Sequence, residues 1–176
     1  MTHIYYCILW GICLILAGCI RDDAAYGEAG IVAGDTLPEF QVELDNGSML
    51  ATSDLQGKVS VLVFFHTGCP DCQQELPVIQ QLYDLYRTND SVAIYCISRE
   101  EAAEEIEAYW QAHGLTLPYS AQENRSVYNL FSGQGIPRVY VSDKSLQVYS
   151  TYSDDPIAGL DELTEDVEAL RMKNKE

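Results

Sequence analysis

The sequence predicts an α/β fold, a central mixed sheet flanked by helices, with an added N-terminal β-hairpin. Three observations predict it. A buried-strand run from Val59 to Phe65 passes straight into a helical pattern through Cys69-Pro70-Asp71-Cys72. Strand and helix patterns then alternate along the chain, as in units whose strands are joined by helical crossovers. Two further segments read as hairpins, the first closed across Asn46-Gly47.

With 176 residues, 47% of them apolar, the chain can form one domain with a sizeable core. Its first 18 residues contain no Asp, Glu, Lys or Arg, and Ile4 to Leu16 is almost wholly apolar. Such a run reads as a signal peptide or a marginal membrane span, since spanning takes about 20 residues. Leu16-Ala17-Gly18-Cys19 at its end resembles a bacterial lipobox. That resemblance implies removal of residues 1–18 and a lipid on Cys19, although the n-region carries only His3 and no Lys or Arg. Residues 19–34, rich in Ala, Gly and Asp and without periodicity, read as a lipid-anchored flexible tether. Residues 35–176 remain for the folded domain. Arg21-Asp22-Asp23 faintly resembles an export signal of surface lipoproteins, so the expected place is the bacterial cell envelope, on the periplasmic or surface side.

The net charge of −17 survives removal of the uncharged leader. It argues against nucleic acid as a partner and against an electrostatic hold on anionic lipid, leaving Cys19 as the membrane attachment.

Taken in order, Glu39 to Leu44 and Ser48 to Ala51 form the first hairpin, Asn46-Gly47 suiting a type I′ turn. Asp54 to Lys58 turns the chain into the strand Val59 to Phe65. From Pro70 to Arg87, Leu76, Ile79, Leu82, Tyr83 and Tyr86 make one apolar helical stripe, with Pro77 set to kink it. Val92 to Ile97 is the next strand, and Ser98-x-x-Glu101 reads as a capping box opening a helix that stops near His113-Gly114. On that helix Ala102, Ile106, Tyr109 and Trp110 point inward, and Glu100, Glu104, Glu105 and Glu107 form a solvated face. A short helix around Ser126 to Phe131 precedes a second hairpin, Arg138 to Val141 and Gln147 to Tyr152. A helix carrying Leu160, Leu163, Val167 and Leu170 closes the sheet.

The chemistry centres on Cys69 and Cys72. At the start of a helix, unpaired backbone N–H groups and the helix dipole favour a thiolate on Cys69. Cys72, one turn on, is placed to close a disulfide with it, which makes Cys69 the nucleophile and Cys72 the resolving thiol. A zinc site would need two more Cys or His at similar spacing, and only Cys96 and an isolated His113 follow. Cys7 and Cys13 leave with the signal, and Cys96 lies in an apolar strand as a core filler.

Cys69-Pro70-Asp71-Cys72 followed by Pro77, together with Gly135-Ile136-Pro137 before a strand, resembles the thioredoxin superfamily. The run Gln73-Gln74-Glu75-Leu76-Pro77 narrows the resemblance to TlpA/ResA-like tethered thiol-disulfide oxidoreductases, over about residues 35 to 170. The resemblance implies a thioredoxin-like fold and a cis Ile136-Pro137 bond beside the dithiol, with Ile136, Pro137 and Gly68 lining a substrate groove. It further implies reduction of disulfides in exported proteins, a membrane electron donor, and no cofactor. Thioredoxin's buried aspartate is Val63 here, so Glu75 is the candidate for moving the Cys72 proton. The family's tryptophan before the first cysteine is Gly68, and His66 stands near enough to tune Cys69. Two alternatives remain open, a peroxiredoxin-like thiol peroxidase and a redox-inert lipoprotein binding module; redox direction is not set by sequence.

Overall fold

The computed structural model describes residues 30–173, so the expectations at residues 1–18 and at Cys19 lie outside the described residues. A short antiparallel pair, β1 (Gln41–Glu43) and β2 (Met49–Ala51), precedes the main sheet. It is followed by β3 (Val59–Phe65), α1 (Pro70–Tyr86), β4 (Val92–Ser98), α2 (Ala103–His113) and the two-residue β5 (Tyr119–Ser120). Next come α3 (Tyr128–Phe131), β6 (Arg138–Ser142), β7 (Val148–Tyr152) and α4 (Leu160–Met172).

The five-stranded sheet runs β5-β4-β3-β6-β7, with β3 parallel to β4 and antiparallel to β6. All seven residues of the central strand β3 are buried, which is why it reads as an unbroken run and not an alternating one. Its successive side chains point to opposite faces. Phe64 packs on Tyr128 and Phe131 of α3 and on Tyr140, while Phe65 packs on Trp110 of α2. Helix α1 buries Leu76, Ile79 and Leu82 completely, each contributing about 2 kcal/mol of apolar transfer. It packs against α4 and β4 and runs unbroken through Pro77.

The fold differs from expectation at four points, each for a physical reason. The first hairpin does not use a type I′ turn. Gly47 has φ +80°, but Asn46 is not in the left-handed region, and the loop is three residues long, with Gly47 N–H bonding Leu44 O at 2.9 Å and Leu44 N–H bonding Ser48 O at 2.8 Å. Second, Ser98 caps no helix. It is the last residue of β4, and α2 begins at Ala103 with Glu105 accepting the Ala102 N–H at 3.2 Å. Third, β5 was not legible, being two residues long. The hairpin is tied to it by Asp45 N–H to Tyr119 O and by Ser120 Oγ to Glu43 O. Finally, residues 30–34, assigned to the tether, pack on the domain: Ile31 is buried and donates its N–H to Phe131 O.

Candidate active site

Strand β3 delivers His66, Thr67 and Gly68 to its carboxyl end, and Cys69 follows as the N-cap of α1, with no side-chain cap of its own. Pro70 suits the first helical position, where its missing N–H costs nothing. The turn is held by Cys69 N–H to His66 O at 3.0 Å, Gln73 N–H to Cys69 O at 3.0 Å, and Gln73 Nε2 to Thr67 O at 2.7 Å.

The two thiols have different surroundings. Cys69 is partly exposed, its Sγ 3.6 Å from Ile136 O, while Cys72 is fully buried. Burial pushes the Cys72 thiol well above its ordinary range, and the hydrogen bond and charge of Cys69 push the same way; the His66 backbone and the Arg99 guanidinium pull down. The Ile136-Pro137 bond is cis, as the resemblance implied, and both residues are buried beside Cys69.

Glu75 lies one helical turn beyond Cys72 and is fully buried, not on a solvated surface. Among the described residues neither carboxylate oxygen makes a well-formed hydrogen bond. Desolvation raises the Glu75 carboxyl to about 7, the Ala158 backbone pulling slightly the other way. Cys96, paired with Val63 across the sheet, is buried too, and burial pushes its thiol up, in keeping with a core filler.

Gly68 is exposed on the flank where the resembled family carries tryptophan. There the His66 ring folds back, its Nδ1 accepting the Gly68 N–H at 2.9 Å. A Cβ on Gly68 would stand 3.3 Å from that ring, so the glycine makes room for it.

Glu101 is not the capping residue that the pattern Ser98-x-x-Glu101 suggests. Its side chain is buried, accepts the Thr67 N–H at 2.8 Å and the Thr67 hydroxyl, and lies 3.6 Å from His66 Nδ1. No local pattern marks Arg99 either. A signal for both existed: parallel β3 and β4 end in register, Phe65 opposite Ser98, so the residues following Ser98 stand beside those following Phe65.

The Redoxin family model matches residues 32–167. The thiol-disulfide oxidoreductase ResA of Geobacillus kaustophilus is 27% identical over 121 residues, covering 69% of each chain. The thioredoxin-like protein YneN of Bacillus subtilis is 28% identical over 120 residues, covering 66% of this chain and 69% of its own. The solution structure of a putative protein disulfide isomerase from Bacteroides thetaiotaomicron superposes with a TM-score of 0.73 at 24% identity, covering 84% of this chain and 93% of that one, a likeness of fold.

Proposed function

Since the chain belongs to the Redoxin family, as a ResA-like thiol-disulfide oxidoreductase of the thioredoxin superfamily, we propose that it reduces disulfides of exported proteins, with Cys69 as nucleophile and Cys72 as resolving thiol. The observation that carries the assignment is the asymmetry of the pair, one thiol at an open helix start and the other wholly buried behind it.

In the first step Cys69 thiolate attacks one sulfur of the partner's disulfide; a Cys69-partner disulfide forms and the second partner sulfur leaves as a thiolate. Cys72 must then lose its proton and attack Cys69 Sγ, expelling the other partner sulfur. Two electrons and two protons pass to the partner, and Cys69-Cys72 is left as a disulfide. Glu75, buried, unpaired and raised to about 7, is the base for the Cys72 proton. Ile136, Pro137 and Gly68 border Cys69 and form the partner's groove. A dithiol electron donor in the membrane returns the pair to the reduced state.

Lipid on Cys19 would hold the domain at the extracytoplasmic membrane surface, in the periplasm or outside, and raise the effective concentration of partners there. The peroxidase alternative draws little from Thr67, because its hydroxyl donates to Glu101. Equilibrium titration of the dithiol against dithiothreitol and glutathione tests the reductive reading. A strongly reducing potential is expected; an oxidising one would make the protein a disulfide-forming enzyme.

A further inference from the structure

In a chain with ten Lys and Arg against 27 Asp and Glu, three arginines converge beside the dithiol. Arg99 follows β4, Arg125 precedes α3 and Arg138 opens β6. The Arg99 and Arg125 guanidinium carbons lie 5.4 and 5.2 Å from the ring centre of Tyr128, a fully buried side chain whose hydroxyl donates to Gly135 O. Arg138 donates through Nε and Nη2 to Gln134 O at 3.3 and 3.0 Å. It lies so close over Gly135 that a Cβ there would meet Nη2 at 3.1 Å.

The cluster is short of negative charge. Glu100 Oε2 is 3.8 Å from Arg99 Nε and 3.7 Å from Arg125 Nη1, so among the described residues one carboxylate is shared between two guanidiniums and Arg138 pairs with none. Glu100 holds that position with a left-handed φ of +61°, which a side-chain-bearing residue adopts only at some cost. Among the described residues the Arg99 guanidinium makes no hydrogen bond, and its Nε is buried without a partner. A half-buried guanidinium with unused donors is suited to a bidentate carboxylate. The cluster also borders the reacting sulfur: Gly135 precedes Ile136, whose carbonyl is 3.6 Å from Cys69 Sγ, and Arg99 N–H bonds Phe65 O at 2.8 Å.

We propose that Arg99, Arg125 and Arg138 form a carboxylate subsite that receives an acidic side chain next to the disulfide cysteine of the partner protein. The subsite rests on the oxidoreductase reading and gives it a specificity: disulfides flanked by Asp or Glu are favoured in spite of the domain's own negative charge. The overall field slows the approach of an acidic partner, and the local arginines hold it once docked.

The test uses two disulfide peptides identical except for Glu or Gln beside each cysteine. At low salt the wild-type kcat/KM for the Glu peptide should exceed that for the Gln peptide by about tenfold, the scale of one charge-assisted hydrogen bond. Arg125→Gln and Arg138→Gln should each bring the two values closer. In a second arm, the Nε–Hε resonances of the reduced protein are followed as serine-for-cysteine versions of both peptides are added, and only the Glu version should move them. Equal kcat/KM values, a ratio untouched by both substitutions, or resonances that stay still would each overturn the subsite. Shifted resonances with neither disulfide peptide reduced would uphold the subsite and sink the oxidoreductase reading instead.

Discussion

Glu101, just beyond the end of β4, accepts both the backbone N–H and the hydroxyl of Thr67, two residues before the first cysteine, with its own side chain buried. The loop that presents Cys69 is thereby fastened to the neighbouring strand. Replacing Thr67 by Val keeps the shape and the backbone donor but removes the hydroxyl, leaving a buried carboxylate oxygen short of a partner. Denaturant unfolding should show a loss of about 1–3 kcal/mol; unchanged stability would mean that water replaces the hydroxyl freely.

Glu75 makes stability depend on pH. Its carboxyl is raised from 4.5 to about 7 in the folded protein, so the folded state holds the proton more tightly than the unfolded chain. The resulting stabilisation is complete below pH 4.5 and is lost as pH rises through about 7, a swing of about 3 kcal/mol. Glu75→Gln, always neutral, should flatten that part of the stability profile and melt higher than wild type at pH 8. Parallel profiles for the two proteins would show that Glu75 is hydrated and ordinary.

The same substitution should slow the resolving step. Without a carboxylate beside it, Cys72 has no buried acceptor for its proton. Stopped-flow measurement of mixed-disulfide decay should show slower release at neutral pH, with initial attack by Cys69 little changed. Equal decay rates would assign proton removal to solvent.

Cys72→Ala should trap partners on Cys69. The partly exposed Cys69 thiol still attacks, but without Cys72 no thiol stands one turn behind it to resolve the mixed disulfide. Diagonal gels of cells carrying the variant should show Cys69-dependent adducts with exported proteins. Their absence, together with persisting peroxide consumption, would transfer the protein to the peroxidases.

On the proposed lipid anchor, Cys19→Ala should abolish fatty-acid labelling and release the protein from membranes, because the lipobox-like run Leu16-Ala17-Gly18-Cys19 ends at that residue and a net charge of −17 gives no electrostatic hold on anionic lipid. Labelling that persists in the variant would place the anchor elsewhere.

The sequence by itself determined the elements whose causes are local. Val59–Phe65 was legible as a strand because a fully buried strand is an unbroken apolar run, and α1 because its stripe repeats at helical spacing from Pro70 onward. Cys69 and Cys72 were legible because their spacing at a helix start puts one thiol at the cap and the second one turn on; the complete burial of Cys72 came only with the packing around it. Only the tertiary structure decided what faces them. Whether Glu75 was solvated or buried depended on the segment around Ala158, more than 80 residues away, arriving over it. Glu101 looked like a capping residue until the parallel register of β3 and β4 set it beside Thr67. Arg99, Arg125 and Arg138 are scattered along the chain and meet only around Tyr128 and the loop before β6. The physical reason is range: backbone periodicity and turn chemistry act over a few residues, whereas the desolvation and pairing of a charged side chain are set by whichever distant segments fold against it.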